Sequence, residues 1–180
     1  MIKLHLGCGK RDFGEKWIHI DGGNFSHLKE HNITSLSQFE DNSVDIIYSS
    51  HVLEYFDREE ALDVLKEWNR VLKKGGTLRI AVPDFESMTS LYYRGECLLS
   101  DIIGPLYGKM GMSNDTIYHK TVYDFSSIVE MLNNAGFDTV EKYNWRDTEH
   151  SHIDDCSVAY LPKMDFEKGT LISLNVEATK

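Results

Sequence analysis

Cysteine and proline are both scarce in this chain, at three of each among 180 residues. Cys8, Cys97 and Cys156 are odd in number and share no paired spacing, which argues against a disulfide framework and fits reduced thiols acting as small buried hydrophobes. No apolar run approaches the roughly 20 residues that a membrane-spanning helix needs. Positive charge is short as well: 19 Lys and Arg against 29 Asp and Glu leave a net charge of −10. No basic run is present to gather a phosphate backbone, so a nucleic-acid partner is not expected. Met1 stands two residues ahead of the first strand signal, which leaves no room for a targeting segment and makes the expected compartment the cytoplasm. An apolar content of 41% over this length suits a single domain, residues 1–180, with a core of its own.

What is present is organised around the first 21 residues. Ile2, Leu4 and Leu6 alternate and stop at Gly7-Cys8-Gly9, the pattern of a strand ending in a tight turn whose backbone can approach a ligand. Trp17, Ile18 and Ile20 form a second short apolar run ending on Asp21, and an acid at a second strand tip is placed to accept from the hydroxyls of a ribose. A dinucleotide fingerprint would put a third glycine where Asp12 stands and its acid about 20 residues on. The spacing therefore favours a smaller nucleoside. Ten residues, Gly7 to Lys16, must carry the chain between these strands, so any helix there has a turn or two at most.

Further along, Ile33 to Leu36 is a candidate short strand, and Val44 to Tyr48 reads as a buried strand in mid-sheet. It ends at Ser49-Ser50-His51, outside the carboxyl end of a strand, where ligands of such sheets bind. Asp57 to Leu72 is a helix with Glu60 completing a capping box and Leu62, Leu65, Trp68 and Leu72 as its stripe. Gly75-Gly76 leads into a strand over Thr77 to Val82 that Pro83 stops. Asp84 caps a helix to Arg94 with Phe85, Met88, Leu91 and Tyr92 as its apolar face, and Asp124 caps another to Gly136. Between these helices, residues 95–120 are punctuated by glycines and are expected to be an irregular insertion covering a pocket. Phe137 to Tyr143 and Thr170 to Ala178 read as closing strands. Glu149-His150-Ser151-His152-Ile153-Asp154-Asp155-Cys156 has no fixed metal-ligand spacing, so no metal is expected there and a polar pocket wall is preferred.

The order of glycine turn, acid-tipped strand, buried strand, capped helix, double glycine and strand with proline resembles the class I S-adenosylmethionine-dependent methyltransferases. The run from Tyr48 to Pro83, with His51-Val52-Leu53-Glu54 and Arg70-Val71-Leu72-Lys73-Lys74-Gly75-Gly76, is similar to their type 11 branch. The resemblance implies an α/β, Rossmann-like, doubly wound sheet of seven strands, mainly parallel with an antiparallel last strand, here with a shortened first crossover. It implies S-adenosylmethionine as cofactor, held by Gly7, Cys8, Gly9 and Asp21, with Ser49 at the pocket edge and Ser35 or Leu36 at the adenine. The acceptor is expected to be a small molecule or a glycan. If the acceptor must lose a proton, position among the eight histidines selects His119 as the base and His51 as pocket wall. A non-catalytic nucleoside-binding protein of the same fold remains the alternative, and a nucleotide-dependent oxidoreductase the third reading.

Overall fold

The computed structural model describes residues 1–112 and 115–180. Its strands are β1 (Lys3–Leu6), β2 (Ile18–Ile20), β3 (Val44–Ser50), β4 (Leu72–Pro83), β5 (Met110–Met112), β6 (Asp115–Ile117), β7 (Asp138–Lys142), β8 (Tyr160–Leu161), β9 (Thr170–Leu171) and β10 (Ser173–Thr179). The helices are α1 (Arg58–Val71), α2 (Phe85–Tyr93), α3 (Leu99–Tyr107) and α4 (Phe125–Asn134). Six strands form the main sheet in the order β2-β1-β3-β4-β10-β7. β1 pairs in parallel with β2 and β3, β3 pairs in parallel with β4, and β10 runs antiparallel to both β4 and β7. This is the Rossmann-like mixed sheet expected, with six strands rather than seven.

The missing strand is the one anticipated at Ile33 to Leu36. Asn32 Oδ1 there accepts from Thr34 N at 2.9 Å and Ser35 N at 3.2 Å, a local turn that withdraws these donors from any ladder. The first crossover, residues 7–17, has no helix. Between Tyr93 and Lys120 the chain is more regular than its glycines imply, forming α3 and the β5–β6 hairpin.

The two faces of the sheet are finished differently. Leu4, Leu6, Ile47, Leu78, Ile80 and Val82 point to one face and pack against Leu65, Trp68 and Val71 of α1 and Ile128 and Leu132 of α4. The capping box at Asp57 and Glu60 starts α1, and Trp68 fixes its far end by donating to the Ile33 carbonyl at 2.8 Å. The stripe read from the sequence is buried at Leu65, Trp68 and Leu72 and half-buried at Leu62, whereas on α2 only Met88 and Leu91 are buried and Phe85 and Tyr92 are exposed.

On the opposite face one cross-strand row runs His19, His5, Tyr48, Arg79, Glu177, Glu141. No crossover helix covers its His5–Tyr48 end. Phe13 from the short crossover stacks between His5 (centroids 3.9 Å apart) and His150 (4.3 Å), while Tyr48 donates to Asp155 Oδ2 at 2.5 Å. His150, weighed from sequence as a pocket wall, is thus a packing element.

Burial holds these imidazoles neutral: His5 lies well below its ordinary value, His19 is lowered, and His150 is pushed down to about 4. The unfolded chain therefore takes up protons first as pH falls, so the stability these rings confer is complete above about pH 6.5 and is lost on acidification towards pH 4. Each contributes a slope of at most about 1.4 kcal/mol per pH unit. Glu54, pushed up to about 8 by burial, gives one opposing slope. The urea midpoint should accordingly rise between pH 4.5 and 6.5, less steeply in His150→Phe; a flat profile would contradict this.

Candidate functional site

The carboxyl ends of β1, β2 and β3 converge on one cavity of about 1190 Å³, whose wall includes Gly7, Gly9, Arg11, Asp21, His51 and His119. A pocket for one small ligand occupies roughly 300–1,000 Å³, so this one has room for two. At its β1–β2 end, Asp21 ties two turns together: Oδ2 accepts from Gly9 N at 2.8 Å and Oδ1 from Gly23 N at 2.7 Å. Each carboxylate oxygen retains acceptor capacity towards the cavity.

The two glycines of the first turn have different reasons. Gly7 has φ +69°, and a Cβ on it would run into the Val52 side chain, so it is required by the packing of the β1 tip against the β3 tip. Gly9 has φ +56° and only Arg11 Nη1, at 3.9 Å, near where its Cβ would be. Its bare backbone borders the cavity. A nucleoside with an amino-acid tail fits such an end: Asp21 could accept from ribose hydroxyls, Gly9 admits close approach, and Arg11 offers a cation.

The remaining residues singled out from the sequence divide. His51 and His119 both line the cavity. Cys8 is buried beside His27, with Sγ 3.7 Å from Nε2, and burial raises its thiol to about 12, which makes it inert packing. Ser49 is buried and donates to the Leu6 carbonyl at 3.0 Å; its neighbour Ser50 lines the cavity instead. Leu36 is buried under α1, its N–H donating to Glu67 Oε1 at 2.7 Å, and Ser35 is exposed. Neither reaches the cavity, whose wall in that region is Asn32, Ile33 and Thr34. The Asn32 turn that cancels the strand also swings these residues inward.

At the far end, His51 occupies a left-handed conformation, φ +53°, that turns the chain sharply off β3. Its ring is pushed down to about 3 by burial, then by His119 and Arg11. His119 is lowered by burial, with its Nδ1 3.0 Å from the Pro105 carbonyl. Glu54 sits between them, fully buried. In the sequence Glu54 stands out only as the last residue of His51-Val52-Leu53-Glu54, and a Glu at the third position after His51 on a turn is the available signal. Arg11 lines the cavity and donates to the Asp154 carbonyl at 2.9 Å. A second cavity of about 750 Å³ adjoins the first through Arg11, Pro105, Cys156, Ala159 and Ile172. Among the described residues, no three His, Cys, Asp or Glu side chains converge as metal ligands.

A methyltransferase-domain family model matches residues 10–80. No curated protein matches the sequence. Among solved structures, an S-adenosylmethionine-dependent methyltransferase from Archaeoglobus fulgidus is similar at 18% identity and a TM-score of 0.59, with 99% of this chain and 85% of that one covered. One from Methanosarcina mazei is similar at 18% identity and a TM-score of 0.58, over 99% and 91% of the two chains. A 1,6-didemethyltoxoflavin-N1-methyltransferase from Burkholderia thailandensis, solved with S-adenosylhomocysteine and 1,6-didemethyltoxoflavin, aligns at 12% identity and a TM-score of 0.61, over 99% and 70%. Likeness at these identities is one of fold: the chain has the class I methyltransferase fold. With the family model, it supports a class I S-adenosylmethionine-dependent methyltransferase, and S-adenosylmethionine as its cofactor.

Replacing Gly7 by Ala drives a methyl group into Val52 and should destabilise the protein by about 1–3 kcal/mol, the usual penalty of overpacking. Adding Val52→Ala should restore part of the loss, the remainder being the left-handed backbone cost. Urea titrations of the single and double variants measure both, and strictly additive losses would contradict the contact.

Proposed function

We propose that the protein transfers the methyl group of S-adenosylmethionine to a small-molecule or glycan-type acceptor in the cytoplasm. The observation that carries this reading is the single cavity joining a nucleoside-type end, Gly9 and Asp21, to an end walled by His51, Tyr55 and His119. The bound cofactor supplies an already activated methyl group on a sulfonium, so the protein has chiefly to align the partners and exclude water. Asp21 holds the ribose hydroxyls, Gly9 bares main chain beside them, Arg11 pairs with the amino-acid carboxylate, and Asn32 to Thr34 form the adenine side. His119 takes the acceptor's proton where there is one, and His51 forms the opposite wall. The acidic surface, −10 overall, and the bounded volume favour a small acceptor over a nucleic acid. α3 and the β5–β6 hairpin, which contribute Gly104, Gly108 and Met110 to the wall, act as the cover.

Asp21→Ala should weaken binding of S-adenosylhomocysteine by on the order of 1.5–3 kcal/mol, the scale of hydrogen bonds to a charged group. Calorimetry with unchanged affinity would end the assignment. Formation of S-adenosylhomocysteine from S-adenosylmethionine, screened over phenol, amine, thiol and sugar acceptors, tests the activity; tight cofactor binding with no turnover across the screen would favour the non-catalytic alternative. Amide hydrogen exchange should show residues 95–107 gaining protection on cofactor binding, and protection already equal to that of β3 in the free protein would mark them as core.

A further inference from the structure

Glu54 is 0% exposed, and neither of its carboxyl oxygens has a hydrogen-bond partner. Burial of an unpaired carboxyl costs several kcal/mol unless it is neutral, so its surroundings have to account for it. They also fix where the hydrogens lie. The Pro105 carbonyl can only accept, so His119 Nδ1, 3.0 Å away, carries a ring hydrogen, and in a ring that burial keeps neutral Nε2 is bare. For the other ring, Asn175 Nδ2 donates to the Ser157 carbonyl at 2.9 Å, which leaves Asn175 Oδ1 to accept from the Ser173 hydroxyl at 2.9 Å. Having given its hydrogen, Ser173 Oγ can only accept from His51 Nε2, 3.1 Å away. In this ring too, kept neutral by burial, His51 Nδ1 is bare. These two bare nitrogens lie 3.5 Å and 3.7 Å from the same atom, Oε1 of Glu54.

Two ring nitrogens thus flank one carboxyl oxygen, and a hydrogen on that oxygen would have a lone pair on either side to accept it. We propose that Glu54 is a positioning residue whose carboxyl stores one proton between His51 and His119, keeping both rings neutral and leaving Nε2 of His119 able to take a proton from the methyl acceptor. The last clause rests on the methyl-transfer reading; the shared proton does not. Gly108 supports the role of Nε2, because this glycine lines the cavity and a Cβ on it would collide with that nitrogen. Burial, which pushes Glu54 up to about 8, His51 down to about 3 and His119 below its ordinary value, is consistent with three neutral groups at pH 7. The other titratable groups acting on the cluster are Tyr55, Tyr123 and Cys156, all raised by burial and uncharged, and Arg11, the cation acting on His51.

In the proton-transfer step, the bond from the acceptor atom to hydrogen breaks, its electron pair stays on that atom, and the proton bonds to His119 Nε2. The Glu54 O–H then breaks in favour of His51 Nδ1. The cluster passes from neutral to a net charge of +1, held as a carboxylate between two imidazoliums, so no isolated charge is left in the buried pocket.

Nitrogen-15 NMR of the unliganded wild-type protein at pH 7 should show His119 protonated at Nδ1 alone and His51 at Nε2 alone. The infrared spectrum should carry a protonated carboxylic acid band that Glu54→Gln lacks. In Glu54→Gln an amide N–H faces the same two nitrogens, so the tautomers persist while the mobile proton is gone, and His119 should titrate at least about one pH unit lower, a tenfold loss of proton affinity. An imidazolium at either ring at pH 7, absence of the acid band, or a His119 titration unmoved by the substitution overturns the proposal. Should Glu54→Gln not fold, the wild-type tautomers and the pH dependence of the wild-type acid band decide alone. None of these measurements uses cofactor or acceptor, so a protein that shares this proton but transfers no methyl group would refute the function proposed above and leave the shared proton standing.

Discussion

The fold depends on a constraint of chain length. Only residues 7–17 join β1 to β2, and residues 21–43 join β2 to β3 without a helix, so the sheet cannot be covered on its second face by crossover helices. Side chains have to do that work instead. Phe13 is delivered by the short crossover itself and is sandwiched by His5 and His150, with Trp17 and Tyr48 at the edges of the stack. Aromatic stacking suits this task because a ring covers a large area while costing little conformational entropy. The consequence is a layer whose imidazoles are uncharged because they are dry.

The same economy of chain shapes the cavity. With no helix starting at the glycine turn, no helix N-terminus stands behind the β1–β2 end of the cavity, and its polar groups include the Asp21 carboxylate, the side-chain-free backbone of Gly9 and Arg11. Asp21 bonds to both Gly9 and Gly23, so the shape of both turns is set by the residue proposed to hold the ribose. Under that proposal, binding and local structure are coupled at one carboxylate.

At the opposite end, the left-handed turn at His51 and the short helical turn over Leu53–Tyr55 carry Glu54 back under the tip of β3. Its own carbonyl accepts from Lys120 N at 2.8 Å and Thr121 N at 3.3 Å, so the segment bearing His119 is pinned to the motif bearing His51. Backbone pairing thus brings together two histidines that are 68 positions apart in the chain, and the carboxyl that links them is, among the described residues, the one buried carboxyl without a hydrogen-bond partner on either oxygen.

Local chemistry was enough to read much of this from the sequence. Alternation and buried apolar runs mark β1, β3 and β4, the Asp57 and Glu60 box marks the start of α1, and the Gly7-Cys8-Gly9 turn with Asp21 marks the cavity's first end, because each of these signals lies within a few residues of its own cause. The antiparallel last strand followed from family resemblance, and the limit of a turn or two of helix in the first crossover from loop length. What only the tertiary structure decided depends on partners distant in sequence. Gly7 is needed because Val52 meets it, Ile33 and Leu36 are tied to α1 by Trp68 and Glu67 rather than paired in the sheet, and His150 is core because Phe13 needs a second ring. The convergence of His51, Glu54 and His119 belongs here too. Pattern and propensity describe a residue's neighbours along the chain, whereas the protonation of a buried carboxyl is set by which groups exclude water from it, and those come from β3, the β5–β6 region and β10.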